Sequence, residues 1–320
     1  AANQPLFLKE EKFQVTISLG IAFYPDDAQE LKDLLRCGDL ALQVAKDQGG
    51  ASSHYYRAGL QQQALERKWL MSALRSALEK GHFCLHYQPI VHLATGVTHK
   101  AEALIRWYHP EKGPISPADF IPMAEKMGLI GAISDWILQE ALKHAAMLRR
   151  QRPDFQISFN VSPIHLQDKQ FDEGRYLGQL AQMGLPGSAL VLEITEGLLL
   201  EANQQVLNRL SACRAAGIQV ALDDFGTGYS SLSYLNRFEI DYLKIDRSFV
   251  HNLQSGAKEY ALCETMVTMA HKLGLSVIAE GIETQEQSRL LKDLGCDFGQ
   301  GYLFAEPLSI AELLALMHKS

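Results

Sequence analysis

Seven polar residues recur at intervals that would deliver them to one place: Glu102, Asn160, Glu193, the adjacent pair Asp223 and Asp224, Lys244 and Glu280. Each falls near the end of an apolar run that reads as a strand, and the steps between them are 58, 33, 30, 21 and 36 residues, counted through Asp223. Apart from the first step, which holds extra helix, each is about one strand-plus-helix unit. In a parallel α/β barrel the carboxyl ends of all strands face one side, where catalytic residues converge. Five carboxylates in an apolar frame repel one another unless cations bind between them. Carboxylate oxygens and an asparagine carbonyl suit hard ions such as Mg²⁺ or Mn²⁺. The charge count favours two ions: five carboxylates give −5, two divalent cations and Lys244 give +5, and a single ion would leave −2. Asp223 suits a bridging role, with Asp224 on one ion only. Two ions about 3.5–4 Å apart can activate water and stabilise the leaving oxygen of a phosphoryl displacement.

The elements that must position these groups are legible in the patterning. His82 to Leu93 and Val97 to Trp107 read as two strands joined at Thr95-Gly96, a hairpin signal. Strands then alternate with helices: Phe155 to Val161, Leu190 to Thr195, Gln219 to Leu222, Tyr242 to Ile245, Ser276 to Ala279 and Phe298 to Phe304. Such alternation favours an α/β barrel over separate layers. Upstream, Leu60, Leu65, Trp69, Leu70, Leu74 and Leu78 recur at helical spacing, predicting a connecting helix over 58–80. Residues 1–57 read as the tail of an α+β domain: a strand over Phe13 to Tyr24, then a helix to Lys46, too little to form a core alone. The expected barrel domain is 81–320.

The chain of 320 residues, 47% hydrophobic and 21% charged, has the balance of an ordinary globular protein. A net charge of −7 gives no broad basic face for duplex nucleic acid, so a phosphate-bearing ligand would need local Arg, Lys or metal. The five cysteines form no C-x-x-C pair and their odd number argues against a complete disulfide framework, which fits a reducing, cytoplasmic setting. No apolar run reaches the roughly 18 residues of a membrane span, and no signal peptide opens the chain. It starts without methionine, as a fragment of a longer parent would, with room for a membrane anchor in the part outside it.

The same residues carry a family resemblance. Glu102-Ala103-Leu104 followed by Ile105-Arg106-Trp107 resembles the signature of EAL-domain cyclic di-GMP phosphodiesterases. Tyr87-Gln88-Pro89-Ile90, Phe159-Asn160-Val161-Ser162, Glu193-Ile194-Thr195-Glu196, Asp223 through Leu232, Leu243-Lys244-Ile245-Asp246, Ala279 through Glu283 and Gln300-Gly301-Tyr302 follow in the family's order. The resemblance implies a TIM-like (β/α)8 barrel with its first strand antiparallel. It implies metal ligands at Glu102, Asn160, Glu193, Asp223, Asp224 and Glu280, with Asp223 bridging. Lys244 would contact the nucleophilic water, Arg106 a substrate phosphate, and Gln88 and Gln300 the substrate groove, while Glu283 would support the site from behind. The implied reaction is hydrolysis of cyclic di-GMP to linear pGpG, which lowers a bacterial second messenger, by a homodimer assembled through the barrel. Rival readings are a catalytically inactive cyclic di-GMP receptor and an unrelated metal-dependent barrel enzyme acting on sugars or carboxylic acids.

Asp224 through Ser231 is glycine-rich but lacks the Gly-Lys-Ser/Thr of a nucleotide P-loop. The resemblance makes it a regulatory loop anchored by Glu196. Val15 through Ala22 and Gly38 through Lys46 resemble the closing part of a GGDEF domain, and the five-residue cyclase signature is nowhere in the sequence. His82 and His86 read as groove-lining or surface residues, Trp107 and Trp136 as packing, and Ile310 to Met317 as a barrel-packing helix.

Overall fold

The computed structural model describes residues 6–8, 11–13, 16–47, 50–169, 171–226 and 238–318. They fall into two compact units, Ala1–Ser76 and Ala77–Ser320.

The first unit holds the antiparallel pair β1 (Leu6–Leu8) and β2 (Glu11–Phe13), and a parallel pair, β3 (Leu19–Ile21) with β4 (Ser53–Tyr55). Helix Leu31–Asp47 buries Cys37, Ala41 and Ala45 on one stripe. A side chain at Gly20 would strike the Gly38 carbonyl and the Leu42 backbone, so the glycine lets β3 lie directly on this helix. The run Phe13 to Tyr24 is therefore not one strand: β2 ends at Phe13 and β3 spans three residues. Helix Leu60–Ala77 accounts for the periodicity that follows.

In the second unit, β5 (Phe83–His92) and β6 (Thr98–His109) form the expected hairpin, with Gly96 at φ +74° in its turn. A short strand, β7 (Gly113–Ile115), pairs with the far end of β6. The barrel continues through β8 (Gln156–Asn160), β9 (Leu190–Thr195), β10 (Gln219–Phe225), β11 (Tyr242–Ile245), β12 (Ser276–Ala279) and β13 (Phe298–Gln300). From β6 to β13, β7 aside, neighbouring barrel strands are parallel. β5 runs antiparallel to both β6 and β13 and so closes an eight-stranded barrel among the described residues, a TIM-like fold with a reversed first strand.

Alternate residues on each strand point inward, and they stack in three layers. Ile90, Val191, Ala221, Tyr242 and Ile278, with Phe298 against them, form an apolar middle layer. Below it, at the strands' amino ends, Lys100 is only 7% exposed. Its ammonium donates to Gln156 Oε1 and, at 2.7 Å, to the Tyr242 hydroxyl, and it lies 4.3 Å from the centre of the Tyr242 ring. Gln156 in turn donates to Gln219 Oε1. Above the middle layer lie the acids. Trp107, fully buried, packs on Phe83 and Phe120, as expected. The outer helices are sharply started: Ser116, Ser162, Asp172 and Asn203 cap with side-chain oxygens, and Thr284 with Gln287 and Ser309 with Glu312 form capping boxes.

Candidate active site at the carboxyl end of the barrel

The strand register brings the predicted residues to one layer. Gln88 on β5 lies opposite Glu102 on β6, and Asn160 on β8 lies opposite Glu193 on β9. Asp223 sits two residues beyond the position paired with Glu193, Lys244 is third on β11, and Glu280 immediately follows β12. Glu102 departs from the expectation of a strand end. It is mid-strand, because β6 pairs with β8 only over Lys100 to Ala103 and then overshoots the rim to pair with β7.

Lys244 is the hub. Its Nζ lies 2.7 Å from Glu280 Oε1, 2.8 Å from Glu193 Oε2, 3.1 Å from Asp223 Oδ1 and 3.5 Å from Glu102 Oε2. Asn160 Nδ2 donates to Glu102 Oε1 at 2.8 Å and to Glu193 Oε2 at 3.4 Å. Gln300 Nε2 donates to Glu102 Oε2 at 2.8 Å and to Gln88 Oε1 at 2.9 Å, while Gln88 donates to the Ala305 carbonyl.

Asp224 should by strand alternation point away from this cluster. Instead its φ of +55° and the register shift between Leu222 and Phe225 turn it back. Oxygens of Asp223, Asp224 and Glu280 consequently lie within 4.8 Å of one another. Asp tolerates the left-handed region better than most residues.

Two cavities flank the acids, and Leu104 lines both. One, of about 260 Å³, is walled by Gln88, Glu102, Asp223, Glu280, Glu283 and Gln300 together with Arg247 and Tyr302. The other, of about 290 Å³, is mostly apolar, with Ile121, Ile133, Ile137 and Phe159 in its walls and Arg106 and Asn160 at the side of the acids. Arg106 and Arg247 have no carboxylate partner among the described residues.

Residues 71–307 match the family of the EAL domain. The chain belongs to the EAL domain family. Residues 1–52 match the GGDEF domain of diguanylate cyclases. The cyclic di-GMP phosphodiesterase NbdA of Pseudomonas aeruginosa is 36% identical over 97% of this chain and 40% of its own length. The bifunctional diguanylate cyclase/cyclic di-GMP phosphodiesterase MucR of the same organism is 36% identical over 98% of this chain and 46% of its own. The chain thus spans less than half the length of these relatives. A solved structure of the PaMucR phosphodiesterase in complex with c-di-GMP superposes with a TM-score of 0.72 at 37% identity, covering 77% of this chain and 99% of that one. The EAL enzyme Bd1971 with cAMP and cyclic-di-GMP bound gives a TM-score of 0.76 at 32% identity, over 91% of this chain and 77% of that one.

In this EAL domain the electrostatics of the upper layer are those of a crowded acid cluster. Burial opposes ionisation of Glu102 most, but Lys244 and hydrogen bonds from Gln300, Glu193 and Asn160 hold its carboxyl below the usual range. Glu193 is held well above it by burial and the Glu102 charge. Burial likewise pushes Glu280 up to about 7, against the pull of Lys244. Asp224 is raised by burial and by Asp223. Lys244 is itself held well above its ordinary value, because its four carboxylates outweigh the cost of burying it.

Glu196 opens helix Glu196–Glu201 just past β9, 8% exposed, and neither carboxylate oxygen has a partner among the described residues. Most of the loop assigned to it, residues 227–231, lies outside those residues. Glu283 lines the first cavity with its side chain exposed. His86 Nδ1 lies 3.2 Å from the Pro307 carbonyl, and His82 stacks edge-on with His109; neither joins the acids. Arg247, Tyr302 and Leu104 were not singled out from sequence, although Arg247 follows a strand end and Tyr302 follows Gln300-Gly301, the same signal that identified their neighbours.

Proposed function

We propose that this EAL domain is a divalent-metal-dependent phosphodiesterase that hydrolyses one phosphodiester bond of cyclic di-GMP to give linear pGpG. The observation that carries the reading is the ring of acids around Lys244 at the barrel mouth, flanked on both sides by a cavity with an unpaired arginine. Five carboxylates and one ammonium leave a formal −4, Glu193 Oε1 is buried with no hydrogen-bond partner among the described residues, and three of the five carboxyls are pushed upward. An all-oxygen donor set with that surplus charge fits hard cations. Glu102, Asn160, Glu193, Asp223, Asp224 and Glu280 are the residues that would hold them, as Mg²⁺ or Mn²⁺. Such ions supply Lewis acidity, lowering the pKa of water and offsetting charge on the phosphate.

The remaining work falls to the protein's side chains. Lys244 holds Glu193, Asp223 and Glu280 in fixed orientation and places a positive charge beside the attacking water. Arg106, at the edge of the apolar cavity, offers its guanidinium to a phosphate oxygen. Glu280, whose Oε1 lies 2.7 Å from Lys244 Nζ at the edge of the cluster, is placed to take the proton that the water loses. Gln300 holds Glu102, Gln88 accepts from Gln300, and both border the groove. The apolar cavity accepts a base and excludes water, and the family kinship to NbdA and MucR supplies the substrate class.

The test is to incubate the purified chain with cyclic di-GMP and Mg²⁺, Mn²⁺ or EDTA and separate the products. We expect pGpG with either metal and none with EDTA. Binding without cleavage in both metals would instead make the chain a receptor.

A further inference from the structure

Resting on the reading of the acid layer as a cation site, we propose that Arg209 is a positioning residue for Asn160: from the outer helices it grips the corner that follows β8 and so keeps the Asn160 amide among the acids. Helix Gln204–Ala215 buries Val206, Arg209, Leu210 and Cys213. Those positions recur at i, i+3, i+4 and i+7, the stripe that a helix lays on a core. An arginine there, 5% exposed, is a costly choice for packing alone, because a buried guanidinium must be matched by hydrogen bonds that an apolar side chain does not need. Its partners show where the charge is spent. Nη1 donates to the Leu166 carbonyl at 2.5 Å and Nη2 to the Phe171 carbonyl at 3.3 Å, and the guanidinium lies 5.1 Å from the centre of the Phe171 ring. Among the described residues its carboxylate partner is Glu173, at 4.0 Å.

The two gripped carbonyls lie at the end of helix Pro163–Gln167 and just past it. That helix has five residues, too few to hold its own shape, and is fixed from outside at both ends. At its start the Ser162 hydroxyl accepts from Ile164 N at 3.2 Å and donates to Glu125 Oε1 at 2.7 Å. At its end Arg209 takes the Leu166 carbonyl, one of those that a helix terminus leaves without an intrahelical donor. Between them the His165 ring lies over Gly131, where a Cβ would come within 3.2 Å of Nδ1, and meets the Phe171 ring edge-on. Asn160 is the last residue of β8, two positions before Ser162, and Val161 N between them donates to the Glu193 carbonyl at 3.0 Å. The corner therefore runs with little slack from Arg209 back to Asn160. Asn160 depends on such a brace more than its neighbours do. Carboxylates are drawn toward Lys244 and toward a cation by their charge. A neutral amide is not, and Asn160 is exposed at its strand end, so its backbone must place it.

The experiment measures Mn²⁺ affinity by calorimetry, cyclic di-GMP hydrolysis across a Mn²⁺ series and urea unfolding. It compares the wild type with Arg209→Leu, Arg209→Lys, Asn160→Ala and the Asn160→Ala/Arg209→Leu double variant. Arg209→Leu fills the apolar stripe but releases both carbonyls, and it should raise the Mn²⁺ Kd about tenfold, the lower end of the loss when a group supporting a metal ligand is removed. KM for cyclic di-GMP at saturating Mn²⁺ should change less than about threefold, since the substrate contacts are untouched. Arg209→Lys keeps the charge but reaches one carbonyl at a time, and half the free energy of a tenfold loss is about threefold. The lysine variant carries the test alone where the leucine variant does not fold. In the Asn160→Ala background, Arg209→Leu should move Kd less than about twofold, because the group it positions is already gone. An unchanged Kd in the Arg209 variants, with or without a lower urea midpoint, would overturn the proposal, and so would losses that multiply in the double variant. A wild type that binds Mn²⁺ without cutting cyclic di-GMP would overturn the phosphodiesterase alone, since the Kd comparison still reads the brace. One that binds no Mn²⁺ would overturn both.

Discussion

Lys100 offers a quantitative test of how the barrel interior is built. Burial beneath the apolar layer lowers its pKa from 10.5 to about 8, against the weaker pull of Asp154 and Asp241. That displacement corresponds to about 3 kcal/mol of cost while the amine is charged in both states. The unfolded chain keeps its proton up to pH 10.5, whereas the folded one sheds it above about 8. Between those values the unfolded state binds more protons, so stability rises with pH. Between pH 7 and 9 the gain amounts to about 1 kcal/mol. Lys100→Met removes the titrating group without stranding its partners, because the Tyr242 hydroxyl still reaches Gln156 Oε1 at 3.2 Å and Gln219 Oε1 at 3.1 Å. Urea unfolding of both proteins at pH 7, 8 and 9, followed by tryptophan fluorescence, gives the difference directly, with every other ionisation common to the pair. Wild-type stability should climb relative to the variant by about 1 kcal/mol across that range. Parallel curves would show that the lysine is solvated or already neutral, and would sink the account of the lower layer.

Three further outcomes follow from the upper layer. If Asp223 holds a cation as proposed, Asp223→Asn should lower turnover by at least about 100-fold, since even supporting groups cost about 10–100-fold; near-normal pGpG formation in Mg²⁺ would refute that assignment. If Glu196 has the anchoring role that the family resemblance gives it, Glu196→Ala should reduce kcat severalfold, read by cyclic di-GMP turnover, and an unchanged rate with unchanged Mg²⁺ dependence would dismiss that role. Gly301→Ala should destabilise the second unit by about 1–3 kcal/mol in urea titration, because its new methyl meets backbone that cannot move aside; a variant as stable as wild type would contradict the close pass over Ile282.

The acids were legible because strand direction does the gathering: Glu193, Asp223, Lys244 and Glu280 lie at or beside the carboxyl ends of parallel strands, so spacing alone placed them together. Tyr242–Ile245 and Ser276–Ala279 were read with their full bounds, each a short apolar run between helix signals. Where polarity and backbone part company, boundaries slipped. β10 continues through Asp223-Asp224 to Phe225, because acids facing a barrel mouth break the hydrophobic run without breaking the ladder. β13 stops at Gln300, because Gly301 turns the chain onto Ile282 although the apolar pattern runs on to Phe304. The backbone twist at Asp224 left no mark in composition, and a lysine at 100 within a strand looks solvent-facing until the barrel closes around it. The substrate roles of Gln88, Arg106 and Gln300 came from family resemblance and from no spacing rule.

The antiparallel seam between β5 and β13 joins the two ends of the barrel sequence, Ile90 to Gln300 and His92 to Phe298. Such distant pairing is entropically slow and comes late in folding. During synthesis, then, a nascent chain can build its hairpin and successive strand-helix units, but the cylinder cannot shut until Phe298–Gln300 emerge. Gln300, which grips Glu102, arrives on the strand that shuts it. A ribosome product truncated before this point would lack both the strand that shuts the ring and the amide that grips Glu102, so closure and the ordering of that acid wait on the same three residues.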